Sequence, residues 1–192
     1  MISLLQNLSA KPTLNIKECR SRRPYSPAVY AYRILWSFAS LIFRFIPHPF
    51  FEVRSQILRI FGASIGKNVH IYPTVKVFLP YNLKVGDYSA ISSCVNIYNI
   101  ALVDISDMVT ISQESFLCTG THDFRSPLLP LVSTPIVVSS KVWICAQAFV
   151  SPNVTLGEGS VVGARSVVTK DVPPWSVVAG NPARTISKRI LK

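Results

Sequence analysis

The chain has 192 residues, of which 49% are hydrophobic and only 15% are charged, so it can bury a substantial core and is not intrinsically disordered. Its net charge of +11 comes from 20 Lys and Arg against 9 Asp and Glu. A basic surface attracts nucleic acid, anionic lipid or a phosphorylated ligand, but no nucleic-acid-binding motif accompanies the charge, and we expect no nucleic-acid partner.

The N-terminal region is organised differently from the rest of the chain. Residues 1–62 carry nine basic residues against two acids, and their first part is polar, contains prolines and is expected to be extended. An apolar stretch at 29–46 predicts a helix that the following prolines end. A second helix is predicted over 50–61, with Gly62 as its C-terminal stop.

The uncharged stretch of the first of these helices is too short to cross a membrane. Ten uncharged residues separate Arg33 from Arg44, whereas a span needs about 20 apolar residues. Its aromatic side chains and flanking arginines are nevertheless typical of a helix at a membrane surface. Two interpretations stay open: packing against the rest of the protein or a neighbouring subunit, and peripheral membrane contact.

An aliphatic residue recurs every six positions from Ile65 onwards, and the last one is Val168. Hexapeptide repeats of this kind build a parallel β-helix, in which each hexad forms one short strand and a turn and its aliphatic residue points into a narrow prism. The spacing lengthens at three places, and each of them follows a third hexad, so the fifteen hexads predict an all-β solenoid of about five three-stranded rungs. We divide the chain into residues 1–62, a β-helix over 63–173 and a C-terminal capping tail over 174–192.

The longest break in the repeat lies between Leu117 and Val138, which are twenty-one positions apart. It contains a looped-out insertion, residues 123–135, that starts directly after His122 and holds three prolines, which predict an irregular, semi-rigid loop. Long insertions of a solenoid often lie on its functional face. The insertion therefore indicates where a functional site is expected.

The four cysteines and three histidines show no metal-ligand spacing, and we expect no metal. Cys118 and Cys145 occupy small-residue corner positions of the repeat, where a cysteine serves as a small buried hydrophobe. No disulfide framework and no secretory signal are recognised, so we expect a cytoplasmic location, at the inner face of the membrane if the N-terminal helices bind lipid.

Two segments carry a specific resemblance to a known family. Residues 117–124 (Leu-Cys-Thr-Gly-Thr-His-Asp-Phe) and residues 168–184, with Val-Thr-Lys-Asp-Val-Pro-Pro and Ala-Gly-Asn-Pro-Ala-Arg, resemble the hexapeptide-repeat O-acetyltransferases. The most similar group is the colanic acid biosynthesis acetyltransferases, relatives of the galactoside and maltose acetyltransferases. The resemblance spans roughly residues 30–188. It implies a left-handed parallel β-helix, a homotrimer, and an acetyl-CoA cleft between neighbouring prisms.

The resemblance also implies roles for residues of the acceptor site. His122 matches the catalytic histidine of the family, and an imidazole can take the proton of a sugar hydroxyl as that hydroxyl attacks a thioester. Asn99, one rung earlier on the same face, matches an asparagine that holds the acceptor, and Asn96 is the competing assignment. Asp123 either binds the sugar or is a turn residue of the insertion.

Cofactor-binding positions of the family map onto six residues, namely Trp143, Ala146, Ala164, Thr169, Lys170 and Arg184. The resemblance implies that backbone groups at the corners bind pantetheine and that the basic residues meet the phosphates of acetyl-CoA. The tetrahedral oxyanion also needs a hydrogen-bond donor, and a backbone N–H near Ala146, at the corner after Ile144, is our candidate. The chain departs from the family at Cys145, where glycine is usual, and this difference bears on which acyl chain fits.

We expect an acetyl-CoA-dependent O-acetyltransferase that modifies a sugar hydroxyl in surface-polysaccharide biosynthesis by direct transfer. Two alternatives remain open: an acetyltransferase of antibiotics or other small molecules, and a non-catalytic trimeric scaffold. A zinc-dependent carbonic anhydrase on a similar β-helix would need three metal histidines in one site. His48, His70 and His122 are 22 and 52 positions apart, and the first lies outside the repeats, which disfavours that function.

Overall fold

The computed structural model describes residues 13–21 and 24–191. Three helices precede the strands in this part of the chain: α1 Ile16–Ser21, α2 Pro27–Phe45 and α3 Phe51–Ile60. Helices α2 and α3 confirm the two predicted helices. Helix α1 corrects the expectation of a wholly extended N-terminal segment, since Asn15 Oδ1 accepts the Glu18 N–H at 3.3 Å and starts a short turn of helix.

Helix α2 starts and stops at recognisable signals. The Ser26 hydroxyl accepts the Val29 N–H at 3.4 Å, and Pro27 occupies the first turn, where its missing N–H costs no hydrogen bond. The helix ends at Phe45 because Ile46, which precedes Pro47, is extended.

The strands are short, and most hold two or three residues. They are β1 Ser64–Ile65, β2 His70–Ile71, β3 Lys76–Val77, β4 Leu83–Val85, β5 Ala90–Ile91, β6 Asn96–Tyr98, β7 Val103–Ile105, β8 Thr110–Ile111, β9 Phe116–Cys118, β10 Gly120–His122, β11 Leu131–Ser133, β12 Ile136–Val138, β13 Trp143–Ile144, β14 Phe149–Val150, β15 Thr155–Leu156, β16 Val161–Val162, β17 Val167–Val168, β18 Ser176–Gly180 and β19 Ala183–Lys188. A 3₁₀ turn, Pro80–Asn82, precedes β4.

Three parallel sheets run along the β-helix. The first contains β1, β4, β7, β12 and β15, the second β2, β5, β8, β13, β16 and β18, and the third β3, β6, β9, β14 and β17. Equivalent aliphatic residues of successive rungs pair in register, as Ile65 does with Val85 and Val85 with Ile105. Every aliphatic hexad position is buried, so the predicted repeat is confirmed and its aliphatic column is the core.

The solenoid is longer than expected by part of a turn. After five complete rungs, Val172 forms a parallel bridge with Leu156, and β18 pairs with β16 as a partial sixth turn. Strand β19 then returns antiparallel to β18. The six-residue spacing does not reveal this turn, because Val172 comes only four positions after Val168 and two prolines follow it.

Many corners between the strands use the left-handed backbone conformation. The third residue after the aliphatic position has a positive φ in most hexads, as at Asn68 (53°), Met108 (57°) and Gln147 (61°). A left-handed residue turns the chain sharply, which limits the strands to a few residues and closes the narrow prism.

Helices α2 and α3 cover the N-terminal end of the β-helix. The Trp36 indole donates to the Val77 carbonyl at 2.8 Å, and Leu58 is fully buried. The buried Arg54 guanidinium donates to the carbonyls of Ile46, Pro47, His48 and Ile71 at 2.6–3.1 Å. Burial lowers the pKa of this guanidinium, and the four carbonyls offset the loss of water. Among the described residues, no helix is long and apolar enough to cross a membrane.

Candidate active site

His122 ends the first strand of a hairpin that leaves the β-helix after β9. Strand β10 pairs antiparallel with β11, so that Thr121 lies opposite Val132 and His122 opposite Leu131. This hairpin corrects the expectation that the insertion is irregular throughout. Gly120 permits it, because a Cβ at this position would lie 2.8 Å from Ile100 Cδ1 and 3.0 Å from Tyr98 Cε1.

The imidazole of His122 is oriented by a backbone carbonyl of the insertion. Its Nδ1 lies 2.7 Å from the Leu129 oxygen. Because a carbonyl oxygen can only accept, Nδ1 carries the proton, and in the neutral ring the lone pair is on Nε2. The side chain is exposed, so Nε2 is free to face a bound hydroxyl.

Asp123 holds the turn that follows His122. Its Oδ1 accepts the Arg125 N–H at 3.0 Å, its carbonyl accepts the Ser126 N–H at 3.2 Å, and its own N–H donates to the Pro130 carbonyl at 3.1 Å. This is the pattern of an Asx turn, in which the carboxylate satisfies local backbone groups. Of the two predicted roles of Asp123, the geometry supports the turn role.

His122 lines a cleft of about 740 Å³. The cleft lies between the hairpin and the described residues that precede α2, 13–21 and 24–26, which we call the N-terminal segment. The hairpin and insertion contribute Leu128, Pro130, Leu131 and Ser133, and the third sheet and the corner after it contribute Tyr98 and Ile100. The N-terminal segment contributes the opposite wall, Cys19, Arg20, Pro24 and Tyr25. The cleft is therefore mostly apolar and aromatic. Besides the two tyrosines and Cys19, its ionisable side chains are those of His122 and Arg20.

Within the described residues, two hydrogen bonds attach the N-terminal segment to the insertion. The Asn15 N–H donates to the Pro127 carbonyl at 2.8 Å, and Cys19 Sγ lies 3.7 Å from the Leu129 carbonyl that also orients His122. The sequence did not reveal this wall, since Cys19 and Leu129 are 110 positions apart and follow no repeat.

Tyr25 and Tyr98 form the aromatic floor of the cleft. Burial, and after it the neighbouring Tyr98, raises the pKa of Tyr25 to about 12. The Tyr25 ring lies 6.2 Å from that of Phe78, and the Phe78 ring lies 4.7 Å from that of Tyr98. The Tyr25 phenol therefore stays protonated near neutral pH and can donate a hydrogen bond.

Asn99 lies inside the corner of the β-helix and is fully buried. Its Oδ1 accepts the N–H groups of Phe78 (3.1 Å) and Leu79 (2.9 Å), and its Nδ2 donates to the Leu79 carbonyl at 2.7 Å. The amide thus stabilises the corner of the preceding rung and presents no exposed surface to an acceptor. Asn96, the competing assignment, is half-buried in β6.

Lys170 and Arg184 lie together, as the resemblance implies for phosphate-binding residues. Both are exposed and line a cleft of about 310 Å³ between the last corners and β19. Asp171 lines it too, but its Oδ1 accepts the Thr155 N–H at 2.7 Å. Thr169 is exposed directly before Lys170. With two cations and one carboxylate, the cleft carries a net positive charge, which favours an anionic ligand.

The other predicted cofactor residues lie along the second sheet and its corner. Trp143 is 45% exposed, and its indole donates to Ser112 Oγ at 3.0 Å. The Ala146 carbonyl accepts the Arg165 N–H at 2.9 Å, and Ala164 is exposed. None of the six cofactor residues lines the cleft of His122, so one described chain does not bring the two halves of the predicted site together.

The thiols near these residues are not activated. Burial raises the pKa of Cys118 and of Cys145, and Cys118 Sγ also contacts the Gly120 carbonyl at 3.2 Å. Within residues 13–21 and 24–191, no group of three His, Cys, Asp or Glu side chains could hold a metal ion.

Comparisons with known proteins agree with this architecture. No protein-family model matches the chain. It is 43% identical over 158 residues to WcaF of Escherichia coli (strain K12), whose name assigns it to colanic acid biosynthesis as an acetyltransferase; the match covers 82% of this chain and 87% of WcaF. It is 33% identical over 138 residues to the galactoside O-acetyltransferase of the same strain, covering 70% and 68% of the two chains.

Solved structures show the same fold. A galactoside acetyltransferase in complex with coenzyme A is 27% identical, with a TM-score of 0.80 and 92% coverage of both chains. The hexapeptide-repeat-containing acetyltransferase VCA0836 of Vibrio cholerae O1 biovar eltor, complexed with acetyl coenzyme A, is 27% identical, with a TM-score of 0.79 and coverage of 88% of this chain and 92% of that one. The chain belongs to the hexapeptide-repeat acetyltransferases, and its solenoid is their left-handed parallel β-helix.

Proposed function

We propose that the protein transfers the acetyl group of acetyl-CoA to a hydroxyl of a sugar or glycan in surface-polysaccharide biosynthesis. The proposal rests on the orientation of His122. Its Nδ1 is held by the Leu129 carbonyl, and its ring lines a cleft of about 740 Å³. The relatives named for colanic acid and galactoside acetylation support a sugar acceptor, and the complexes with coenzyme A and acetyl coenzyme A support the donor.

In the proposed reaction, Nε2 of His122 accepts the proton of the acceptor hydroxyl as the oxygen attacks the thioester carbonyl. A C–O bond forms, and the carbonyl oxygen becomes an oxyanion, for which the Ala146 N–H is the candidate donor. The oxyanion then collapses, the C–S bond breaks, and the departing thiolate takes the proton from Nε2. A positioned base of this kind contributes about 10²–10⁴-fold to the rate, and holding both substrates together supplies much of the rest.

The donor fits the second cleft. Lys170 and Arg184 place two positive charges around about 310 Å³, which suits the phosphates of acetyl-CoA. The corners after β13 and β16, at the half-buried Ala146 and the exposed Ala164, offer backbone groups for the pantetheine amides. Thr169 and the half-exposed Trp143 indole complete the proposed donor surface. Cys145 lies beside it and limits the room for a longer acyl chain.

The acceptor occupies the cleft of His122 in this proposal. Aromatic rings such as Tyr25 and Tyr98 stack on sugar rings, and their hydroxyls bind sugar hydroxyls. Asn99 and Asp123 act through the backbone that they stabilise, since their polar atoms already bind local groups. Because acetyl-CoA is the donor, the reaction takes place in the cytoplasm.

We further propose that a homotrimer completes the site. Since no cofactor residue lines the cleft of His122 within one chain, the donor surface of one subunit would meet the cleft of another. Light scattering would measure the mass. Co-expression of His122→Ala with Lys170→Ala/Arg184→Ala would then produce some interfaces with both halves intact. Partial recovery of activity is the expected result, and no recovery would indicate a site within one chain.

The function is tested by acceptor-dependent release of CoA. Acetyl-CoA is supplied with a panel of nucleotide sugars, short glycans and chloramphenicol, and the acetylated product is identified by mass spectrometry. We expect transfer to a sugar hydroxyl. Transfer to chloramphenicol alone would support an antibiotic acetyltransferase, and absence of acetyl-CoA binding in calorimetry would support the non-catalytic scaffold.

A further inference from the structure

A basic groove lies between helix α2 and strand β3, and it shares no lining residue with either cleft described above. Arg33, Ser37, Ser40 and Arg44 follow one another at helical spacing along one face of α2. This face and the segment from Pro73 to Phe78 line a groove of about 220 Å³.

Among the described residues, three cations and no acid line the groove. Arg33, Arg44 and Lys76 line it, and no Asp or Glu does. None of the three forms an ion pair or a side-chain hydrogen bond within the described part of the chain. The Arg33 guanidinium is instead held 4.2 Å from the centre of the Phe78 ring, which orients its fork while leaving its charge uncompensated. Guanidinium and ammonium groups clustered around hydroxyls match the oxygens of a phosphate.

An exposed apolar face lies next to the groove on the same helix. Six large apolar side chains of α2 are 55–82% exposed: Ile34, Leu35, Phe38, Leu41, Ile42 and Phe45. At 100° per residue they form one continuous arc, between the groove face and the face that carries the buried Trp36 and Phe43. We call this arc the apolar face of α2. Its position beside unpaired cations is the arrangement of helices that lie on anionic lipid.

The groove is also adjacent to the cleft of His122. Phe78 lines the groove, and its ring contacts Tyr98 at 4.7 Å and Tyr25 at 6.2 Å. Tyr25 and Tyr98 line the cleft of His122 on the other side of this aromatic cluster. A ligand that follows the protein surface therefore passes from the apolar face, over three cations, to the cleft with the proposed base.

We propose that the acceptor is an amphiphile in which a sugar is joined through phosphate to a membrane lipid. The apolar face of α2 contacts the lipid, the basic groove binds the phosphate, and the sugar reaches His122 in its cleft. This inference rests on the proposed acetyl transfer and names the class of its acceptor. The reaction that supplies such an acceptor is the transfer of a sugar onto a lipid phosphate.

The test is binding of farnesyl diphosphate, a short lipid phosphate, to the full chain by calorimetry. Saturating CoA is present so that the donor site is filled, and inorganic pyrophosphate and farnesol are titrated in parallel. The variants are Arg44→Gln/Lys76→Gln in the groove and Phe38→Ser/Ile42→Ser on the apolar face. The matched control is Lys67→Gln/Lys84→Gln, which removes the same charge from exposed positions outside the groove.

We expect one molecule of farnesyl diphosphate to bind per chain, and binding to weaken roughly tenfold or more in the groove variant but not in its control. The apolar-face variant should lose affinity for farnesyl diphosphate and keep its affinity for pyrophosphate. The proposal is overturned if the wild type does not bind farnesyl diphosphate, if both charge variants weaken equally, or if the apolar-face variant binds as the wild type does. It is also overturned if that variant loses binding only by dissociating the oligomer, because the apolar face is then an interface between copies. CoA binding in the same preparations reports separately on the donor site, and acceptor-dependent release of CoA from acetyl-CoA reports on the proposed transfer.

Discussion

The β-helix and the irregular segments that join around His122 differ in what holds them together. In the β-helix, each rung repeats the aliphatic column of the one before, and the core residues are buried throughout. The N-terminal segment and the insertion bury little: α1 has no buried residue, and the segment reaches the insertion through the Asn15 and Cys19 contacts. The regular region holds the buried core and the irregular regions hold the proposed base and acceptor cleft, so changes in the two should have separable effects.

The largest expected loss of stability follows truncation of a side chain in the aliphatic core of the β-helix. Ile144 is fully buried in the fourth rung, and Ile144→Ala should lower the free energy of unfolding by about 4 kcal/mol, because it leaves a cavity that the rigid prism cannot close. Val132→Ala in the hairpin, where the side chain is 40% exposed, should change it by less than about 0.5 kcal/mol. Urea unfolding measures both. Equal losses of unfolding free energy in the two variants would contradict the claim that stability comes from the β-helix core and not from the hairpin.

A smaller loss should follow removal of the arginine that joins the helices to the first rung. Arg54→Ala leaves four carbonyls without their donor and should cost about 3 kcal/mol. Arg59→Ala is the graded control, since Arg59 is more exposed, donates to two carbonyls (Ile65 and Gly66) rather than four, and has its ion pair with Glu52 at the surface. Thermal unfolding should distinguish the two variants, and an equally large loss in the control would contradict the burial argument.

Loss of Tyr25 should affect the acceptor rather than the fold. Tyr25→Ala removes one aromatic wall of the cleft and should raise the KM for the acceptor about tenfold, with the KM for acetyl-CoA unchanged. The control is Tyr88→Ala, at a corner where the side chain is 65% exposed. A rise in the KM for acetyl-CoA would place the donor, rather than the acceptor, in this cleft.

The smallest effect concerns thiol reactivity. Since burial raises the pKa of Cys118 and Cys145, their thiolates are scarce near pH 8, and their alkylation should keep accelerating as the pH rises further. Cys94 is exposed at a corner and should react first. Peptide mass spectrometry after timed alkylation with iodoacetamide measures the order. Faster labelling of Cys145 than of Cys94 would indicate that the corner opens.

The sequence predicted the repetitive part of the fold because each rung solves the same packing problem locally. Ile65, Ile71 and Val77 face inward for the same reason as their counterparts in later rungs. The sixth, partial turn did not follow the six-residue spacing, and the prolines after Val172 concealed it. Helix α1 depends on the Asn15 cap rather than on an apolar pattern.

The candidate site was predictable only in part. His122 could be singled out because it stands where the repeat breaks, and its role in catalysis stays a prediction. The wall formed by Arg20 and Tyr25 could not be found, because the contacts join segments about a hundred positions apart without any periodicity. Asn99 could not be assigned from its position either, since whether an amide points into a corner or out of it depends on which backbone groups need partners.

The central claim is that acetyl transfer depends on His122 and not on the β-helix core. Its most direct test measures two properties of His122→Ala, the turnover and the free energy of unfolding. Turnover should fall about 10²–10⁴-fold while acetyl-CoA binding is retained and the unfolding free energy stays within about 0.5 kcal/mol of the wild-type value. His70→Ala, which removes an imidazole that stacks on Phe51 at 4.4 Å outside the cleft, should keep its turnover. Wild-type turnover by His122→Ala would contradict the central claim.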